Sequence, residues 1–490
     1  MSSPVFNKKR KRESEEEDEE GEEEADSSES EYSSGSTTEE QEEDPSKRKR
    51  QNKPKIEETK SSEKQEKQGE QRLFIQNLEL KPFHSPKELY NVVKEAWNSY
   101  DPTKSNEISF TFLYPIYNDV RDDNFSHSCP PKQFQMGKML GEGVSKSVNV
   151  LKIVNQLTLR GIIPGPFKEL VITSERFTTE KRKNLGICSV KMDEEGKKID
   201  CGDSSFSEII CATMLQFLTR EFSPSYVIYY GFLHCSEAFF TIQERMEETL
   251  YHFLQKDNLL STRLGGRGIE MLITNLFLQV TYGIYLMQKK YKMVHNDLHH
   301  QNVLIKALES FSWKGTKLDD FKFFGYRLRK NKTIYFVNSG FLAKIADFGL
   351  AVSHDPHVTN DDISTGTYDT YGIKDEFDGM YDILMFTSSL YSVLSDLMND
   401  KEMQPLTQPV WMTIKKLLDS MSKILYKAHD FEELRINYFT GNKQKTRPIG
   451  LPYEYTIDNF MDVFLKYTKD GDRRWTEFPS DVSKENVYVF

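Results

Sequence analysis

The stretch VHNDLHHQNVLI, residues 294–305, sets three histidines, an aspartate and two asparagines between apolar residues. The segment before it, VTYGIYLMQKKYKMV (280–294), carries apolar residues at helical spacing. The segment that ends it, NVLI (302–305), is typical of a short strand. The sequence therefore predicts a helix, a polar loop and a strand, with Asp297 and Asn302 in the loop. Such a loop is a metal site, a catalytic loop or a polar turn without chemistry.

A second stretch, FLAKIADFGLA (341–351), reads as a strand that ends in Asp-Phe-Gly. His-x-Asp-x-x-x-x-Asn before a strand, followed by a strand that ends in Asp-Phe-Gly, resembles the eukaryotic-type protein kinase superfamily over about 139–395. The aromatic strand and turn in TIYFVNSGFLAKIADFG (333–349) resemble Ser/Thr protein kinases of large DNA viruses, especially iridoviruses. The resemblance implies an α+β, two-lobed protein-kinase fold, with a small β-rich lobe at about 138–243 and a large helical lobe at about 247–480.

The resemblance also implies a role for each polar residue. Asp297 would accept the proton of the substrate hydroxyl and orient it for in-line attack on ATP. Asn302 and Asp347 would hold Mg²⁺, or alternatively Mn²⁺, because hard oxygen ligands suit these ions. A metal site made of histidines is the weaker interpretation, since zinc sites usually collect ligands from more than one segment and no cysteine lies nearby. We expect His295 to be a buried scaffold residue that hydrogen-bonds the backbone near Asp347.

Upstream, MLGEGVSKSVNVLKI (139–153) resembles the glycine-rich loop that covers the phosphates of ATP. Gly141, Glu142, Gly143 and Val148 fit that pattern, but the position of its third glycine is occupied by Lys146. The loop is expected to bind the nucleotide through its backbone.

The kinase pattern next requires a lysine on a strand and a glutamate on a helix. GICSVKMD (186–193) offers Lys191 after an apolar run, and SSFSEIICATMLQFL (204–218) offers Glu208 among helix-spaced apolar residues. We expect the ion pair Lys191–Glu208 to hold the α- and β-phosphates of ATP. Lys168 is the alternative anchor, although strand-like sequence follows it rather than precedes it.

The segment FFTIQERMEETLYHFLQ (239–255) resembles the hinge between the two lobes, with Gln243 as the gatekeeper-like residue. Backbone groups near Glu244 and Met246 would hydrogen-bond the adenine edge. The alternative is a plain strand-to-helix connection without a binding role.

Several positions depart from the kinase pattern. Asn296 stands where most members have arginine, and His299 stands where Ser/Thr kinases usually have lysine; imidazole is a poorer fixed positive charge. Asp382 resembles the aspartate that supports the catalytic loop, but it follows Asp347 by only 35 residues. The segment between them lacks Ala-Pro-Glu, and an insertion at about 310–340 precedes it.

The charge of the chain is unevenly distributed. Of the net charge of −11 over 490 residues, residues 1–72 carry −8, with 23 acidic and 15 basic residues. This tail has too few apolar residues to form a core and is predicted to be disordered. Residues 73–137 are predicted to be an extension that packs on the kinase domain, which is placed at 138–480. The nearly neutral body argues against direct nucleic-acid binding.

The location and partners follow from weaker signals. The five cysteines form no paired ligand pattern, which favours a reducing, intracellular compartment. The basic clusters 8–12 and 47–50 resemble nuclear-import signals, so we expect the host cytoplasm, the nucleus or both. No uninterrupted apolar run reaches about 18 residues, so no membrane partner is expected.

The expected function is that of an ATP- and Mg²⁺-dependent serine/threonine-protein kinase whose partners are protein substrates. A small-molecule phosphotransferase, which would share the loop HNDLHHQN, is one alternative. A pseudokinase that acts as an interaction scaffold is the other.

Overall fold

The computed structural model of the chain describes residues 72–77, 86–98, 107–112, 130, 134–142, 146–153, 170–176, 189–192, 198–235, 238–261, 266–329, 332–366, 373, 375–426 and 483–490. Residues 1–71 of the tail predicted to be disordered, with its two basic clusters, lie outside these residues, as does Lys168. The described chain is a mixed α+β structure. Its strands are β1 (Arg72–Asn77), β2 (Glu107–Phe112), β3 (Phe134–Glu142), β4 (Lys146–Ile153), β5 (Leu170–Arg176), β6 (Ser189–Met192), β7 (Lys198–Gly202), β8 (Tyr229–His234), β9 (Ala238–Glu244), β10 (Glu248–Thr249), β11 (Met293–Val294), β12 (Val303–Ala307), β13 (Ser312–Trp313), β14 (Thr316–Lys317), β15 (Phe323–Arg329), β16 (Lys332–Val337), β17 (Phe341–Ile345), β18 (Val352–His354), β19 (His357–Asn360) and β20 (Val487–Val489). Its helices are α1 (Pro86–Asn98), α2 (Ser204–Glu221), α3 (Leu250–Phe253), α4 (Lys256–Ser261), α5 (Gly266–Tyr291), α6 (Asp361–Ser364), α7 (Tyr381–Met398) and α8 (Gln404–Tyr426).

The largest sheet has seven strands in the order β1-β2-β8-β9-β5-β4-β3. Strands β1 and β2 run parallel, and every other neighbouring pair is antiparallel. The hairpin β3–β4 lies at one edge, where Gly141 pairs with Val148 and Glu142 pairs with Ser147. We call this the glycine hairpin; it is the segment predicted to cover the phosphates.

The extension predicted at 73–137 contributes the other edge of this sheet. Strand β2 pairs with β8, and helix α1 packs against α2. Trp97 of α1 is buried, and its ring contacts Phe206, Phe232 and Phe239 at centroid distances of 5.5–5.7 Å. The described parts of this region therefore share the core of the main sheet, and its assignment as an extension of a kinase domain stays a prediction.

Helix α2 confirms the helix predicted at 204–218. It begins at an N-cap, Asp203, whose carboxylate accepts a hydrogen bond from the Phe206 backbone N–H at 2.9 Å. Almost all of its side chains are buried, because it lies between α1, the main sheet and the strand pair β18–β19. A polar residue on this helix, such as Glu208, is therefore held inside the protein and needs a partner there.

Helix α5 forms the centre of the helical part and leads into the loop at 295–302. Its window Gly268–Tyr291 is long and apolar enough to cross a membrane, but 83% of the window is buried inside the protein, as expected for a core helix. Gly283 allows a close approach to β17, since a Cβ there would lie 3.0 Å from Ile345 Cδ1. Gln279 fixes the same contact through its amide, which donates to Phe341 O and accepts from Ala343 N.

A second sheet has the order β11-β18-β19-β7-β6. Strand β19, which follows the Asp-Phe-Gly segment, runs parallel to β7 and pairs Thr359 with Cys201. Strand β6, which carries Lys191, is at the far edge of this sheet. The strand predicted to supply the ATP anchor is therefore in a different sheet from the glycine hairpin.

The insertion predicted at about 310–340 folds into two hairpins, β13–β14 and β15–β16, and β15 also pairs in parallel with β20. An aromatic cluster joins these strands. The rings of Trp313, Tyr326 and Tyr488 lie 5.1–5.4 Å from that of Phe490, which is buried. These rings are continuous with the main hydrophobic core through Tyr282 of α5, so the core extends into the insertion and includes Phe490.

The oxidation state is defined for two of the five cysteines. Cys211 is a buried free thiol, and Cys235 is disulfide-bonded. The cysteine spacing did not predict this bond, and the intracellular location stays a prediction.

Candidate active site

The centre of the candidate site is the ammonium group of Lys146, the first residue of β4. Its Nζ donates to Glu208 Oε2 at 2.6 Å and to Asp347 Oδ1 at 3.1 Å. The other oxygen of Glu208, Oε1, accepts from the Tyr229 hydroxyl at 2.9 Å. A third carboxylate, Glu175, sits across from Lys146 in the β4–β5 register and accepts from Ser205 Oγ. Four separate chain segments thus bring one cation among three carboxylates.

Charge and burial act in opposite directions on this cluster. Burial alone would lower the pKa of Lys146, but the carboxylates of Glu208 and Asp347 raise it above its ordinary value. Burial would likewise raise the pKa of Asp347, yet its ion pair and hydrogen bond with Lys146 hold that pKa below the usual range. Lys146 is therefore cationic and Asp347 anionic at neutral pH.

Glu208 pairs with Lys146, where the sequence predicted Lys191 as its partner; the side chain of Lys191 is outside the described part of the chain. The physical reason is strand placement: β6 pairs with β7 in the second sheet, whereas β4 lies in the main sheet beside the helix that carries Glu208. Lys146 stands in the sequence where the glycine-rich pattern has its third glycine, a departure that does not by itself point to Glu208.

The glycine hairpin carries Lys146 on its second strand. Gly141 is exposed, and a Cβ at that position would meet no atom within 4 Å, so the hairpin leaves open space there. Glu142 is the last residue of β3, and half-buried Val148 follows Lys146 by two positions. Gly143 lies outside the described residues. Nucleotide binding by this hairpin stays a prediction.

Within the loop at 295–302, Asp297 and Asn302 are connected by hydrogen bonds. The Asn302 Nδ2 donates to the Asp297 backbone O at 2.8 Å and to its Oδ2 at 3.2 Å. The Ala346 N–H donates to Asn302 O at 2.9 Å, which places Asn302 beside the residue that precedes Asp347. The amide oxygen of Asn302 and the carboxylate of Asp347 are oxygen groups of the kind that could hold a divalent cation, and metal binding here stays a prediction.

Two buried residues hold this loop in shape. The Asp382 carboxylate accepts from the backbone N–H groups of His295 at 2.8 Å and Asn296 at 3.0 Å. The His295 Nδ1 accepts from Asp297 N, so its Nε2–H donates to Ala346 O at 2.9 Å. The expected scaffold roles of His295 and Asp382 are confirmed.

The backbone of the Asp-Phe-Gly segment is strained at its first residue. Asp347 has φ +62°, a left-handed conformation that costs a residue with a Cβ about 1–3 kcal/mol and occurs often at functional sites. Phe348 is fully buried, with its ring 4.9 Å from that of His295 and 6.4 Å from that of Tyr226. This anchoring turns the carboxylate of Asp347 toward Lys146.

The segment predicted to be a hinge follows β9. The backbone N–H of Glu244 donates to Ile228 O, so this group belongs to the sheet. Among the described residues, no hydrogen bond takes up the backbone N–H or C=O of Met246, whose side chain is buried. Of the two positions predicted to bind adenine, Met246 is therefore the one whose backbone N–H and C=O could hydrogen-bond a ligand. Adenine binding itself stays a prediction.

Glu244 has a partner that the sequence did not indicate. Its Oε1 accepts from Lys344 Nζ at 2.6 Å and from Ile228 N at 2.8 Å, and the Lys344 side chain is fully buried. The Lys344 ammonium also lies 4.8 Å from the centre of the Phe311 ring. A buried ion pair therefore ties the end of β9 to the strand that leads into Asp347.

We expect Lys344→Met to lower the free energy of unfolding by about 3–5 kcal/mol, because it leaves the Glu244 carboxylate buried without its cation. Urea unfolding followed by fluorescence measures this. The double variant Lys344→Met, Glu244→Gln should recover part of the loss. The control is Lys306→Met, whose more exposed pair with Glu247 should cost less than about 1 kcal/mol. Equal losses in the two single variants would contradict the expectation.

No protein-family model matches this chain, and no curated protein matches its sequence.

Proposed function

We propose that the chain is an ATP-dependent phosphotransferase of the protein-kinase type that acts on Ser or Thr hydroxyls of proteins. The observation that carries the proposal is the position of Lys146 Nζ between Glu208 and Asp347, connected through Ala346 to the Asp297–Asn302 loop. A lysine–glutamate pair, a metal-holding aspartate and a loop with an aspartate and an asparagine are the parts that phosphoryl transfer from ATP requires. In this proposal the main sheet and α2 form the small lobe, the helices from α3 onward form the large lobe, and Glu244–Met246 is the hinge.

Each residue has a role in the proposed reaction. Asp297 accepts the proton of the attacking hydroxyl, and the amide of Asn302 holds that carboxylate in position. Lys146 stabilises the α- and β-phosphates, while Glu208 keeps its ammonium in place. Mg²⁺ fits the oxygens of Asn302 and Asp347, and it neutralises phosphate charge when bound.

The proposed protein kinase and the alternative, a small-molecule phosphotransferase, differ in the molecule that accepts the phosphate. His299 lies near the catalytic aspartate, with its Nε2 3.7 Å from Asp297 Oδ1, at the position where Ser/Thr kinases usually carry lysine. This departure keeps a small-molecule acceptor as the second candidate. The partners proposed for the main candidate are protein substrates in the cytoplasm or nucleus.

Labelled ATP tests the proposal directly. The purified chain is incubated with [γ-³²P]ATP and Mg²⁺, once with a protein mixture and once with a small-molecule mixture. The proposal expects label in proteins; label in small molecules alone would favour the second candidate. Nucleotide-dependent thermal stabilisation that needs Mg²⁺, without any transfer, would indicate a scaffold rather than an enzyme.

The environment of Asn296 leads to a prediction about control. In many kinases the arginine at this position pairs with a phosphate on the segment that follows Asp-Phe-Gly. Asn296 is uncharged and buried, and its Nδ2 donates to Leu350 O at 3.0 Å. We therefore expect activity not to require phosphorylation of Thr365 or of its neighbours Thr367 and Thr370, which lie outside the described residues.

Treatment with a broad phosphatase, followed by its removal and measurement of initial rates, checks this expectation. The rates should stay within a few-fold of those of untreated protein. A drop of about tenfold or more, reversed by rephosphorylation within residues 352–376, would mean that another cation replaces the arginine.

A further inference from the structure

The hairpin β18–β19 and the segment before α7 bring together three groups that the proposed reaction does not use. His354 and His357 are directly opposite in the antiparallel register, and their rings lie 4.8 Å apart. Asp375 approaches from the other segment, and its Oδ1 lies 2.9 Å from His357 Nε2. One donor atom from each of the three residues lies within 4.8 Å of the other two.

The state of His354 indicates that this cluster is incomplete as it stands. Its Nε2 is buried and has no hydrogen-bond partner among the described residues. A buried ring nitrogen without a partner costs about 1–3 kcal/mol, so it needs a ligand that can approach it. The donor atoms of His357 and Asp375, which contact each other, lie within 4.8 Å of a ring nitrogen of His354.

We propose that His354, His357 and Asp375 form a binding site for a transition-metal ion, with Zn²⁺ as the best fit. Two imidazoles and one carboxylate are ligands that suit Zn²⁺ and related ions, and three protein ligands leave a fourth position for water. The ligands come from two separated segments, as is usual for zinc sites. Donors bound to one Zn²⁺ lie about 2.0–2.2 Å from it, hence at most about 4.4 Å apart, so donors that lie up to 4.8 Å apart have to move closer when the ion binds.

The site has a structural consequence. Binding replaces the contact between His357 and Asp375 by two metal bonds and releases any proton that they share. The metal then ties the hairpin that follows Asp-Phe-Gly to residue 375, which precedes the start of α7 by six positions. Binding therefore stabilises the arrangement of the segment between Asp347 and Asp382, independently of nucleotide.

Cobalt substitution tests the site on the full-length protein. The chain is stripped with a chelator and kept in excess Mg²⁺, which occupies oxygen-ligand sites, and is then titrated with CoCl₂. We expect one equivalent of Co²⁺ to give the visible absorption of a four- or five-coordinate site, and Zn²⁺ to abolish it. His354→Ala and Asp375→Asn should each weaken binding by at least about tenfold. The control is His252→Ala, which removes an exposed histidine and should leave the titration unchanged.

Two outcomes would overturn the proposal. One is the absence of any visible Co²⁺ band in the unaltered chain, which would leave the cluster as a hydrogen-bonded contact between His357 and Asp375. The other is a full titration in the Asp375→Asn and His354→Ala variants, which would place the metal elsewhere. Circular dichroism of Asp375→Asn, a replacement of equal size, excludes unfolding as the cause of a lost signal. None of these readouts depends on phosphoryl transfer.

Discussion

Replacement of Asp297 by asparagine is expected to lower the rate of phosphoryl transfer by about a thousandfold or more. A positioned general base contributes about 10²–10⁴ to the rate, and asparagine cannot accept a proton. The loss should appear in kcat, with little change in the KM for ATP, because Asp297 makes no contact with Lys146 or Glu208 among the described residues. Initial rates with labelled ATP and a protein acceptor measure both parameters.

The fold should survive this replacement. Asn302 Nδ2 also donates to the Asp297 backbone O, and asparagine keeps the side-chain oxygen that accepts the second bond. Thermal unfolding and Mg²⁺-dependent nucleotide binding serve as controls and should match those of the unaltered chain. Undiminished turnover in purified Asp297→Asn would remove Asp297 from the proposed mechanism.

The second large effect separates two lysines. We expect Lys146→Met to lower transfer by about a hundredfold or more, because it removes the cation that supports the phosphates and leaves Glu208 and Asp347 without their partner. The matched variant Lys191→Met should keep activity within a few-fold, because β6 belongs to the second sheet. Rates and nucleotide affinities of the two variants, measured side by side, give the comparison.

A third variant tests whether the loss of activity in Lys146→Met is caused only by a loss of stability. Lys146→Arg keeps the positive charge opposite the two carboxylates, so it should fold more stably than Lys146→Met. Its activity should nevertheless stay low, since guanidinium and ammonium groups differ in shape and reach. If Lys191→Met were inactive and Lys146→Met active, Lys191 and not Lys146 would be the lysine that binds the phosphates of ATP.

The parts of the site that the sequence predicted are those fixed by short-range geometry. The bonds between Asp297, Asn302 and His295 lie within one eight-residue loop, so residue spacing alone brings these groups together. The helix around Glu208 and the strand before Asp347 were predicted from periodicity, and both form as expected. Local spacing therefore carries most of the loop, and the function assigned to it stays a proposal.

The partner of Glu208 could not be predicted in the same way. Lys146 and Glu208 are 62 residues apart, and their contact depends on the strand order of the main sheet. A template that expects glycine at position 146 and lysine on a later strand selects Lys191 instead. The pair Glu244–Lys344, 100 residues apart, was missed for the same reason, since a buried charge is visible only when both strands are in place.

The hairpin that carries Lys146 has a consequence for nucleotide exchange. The lysine is the first residue of β4, the second strand of the glycine hairpin, so a displacement of that strand would carry the ammonium with it. In the proposed enzyme, movement of the glycine hairpin away from the site to release ADP would also move the Lys146 ammonium away from the phosphates. Release of the product and loss of its contact with Lys146 would then occur in one movement. The carboxylates of Glu208 and Asp347, no longer paired with the lysine, would repel the negatively charged phosphates.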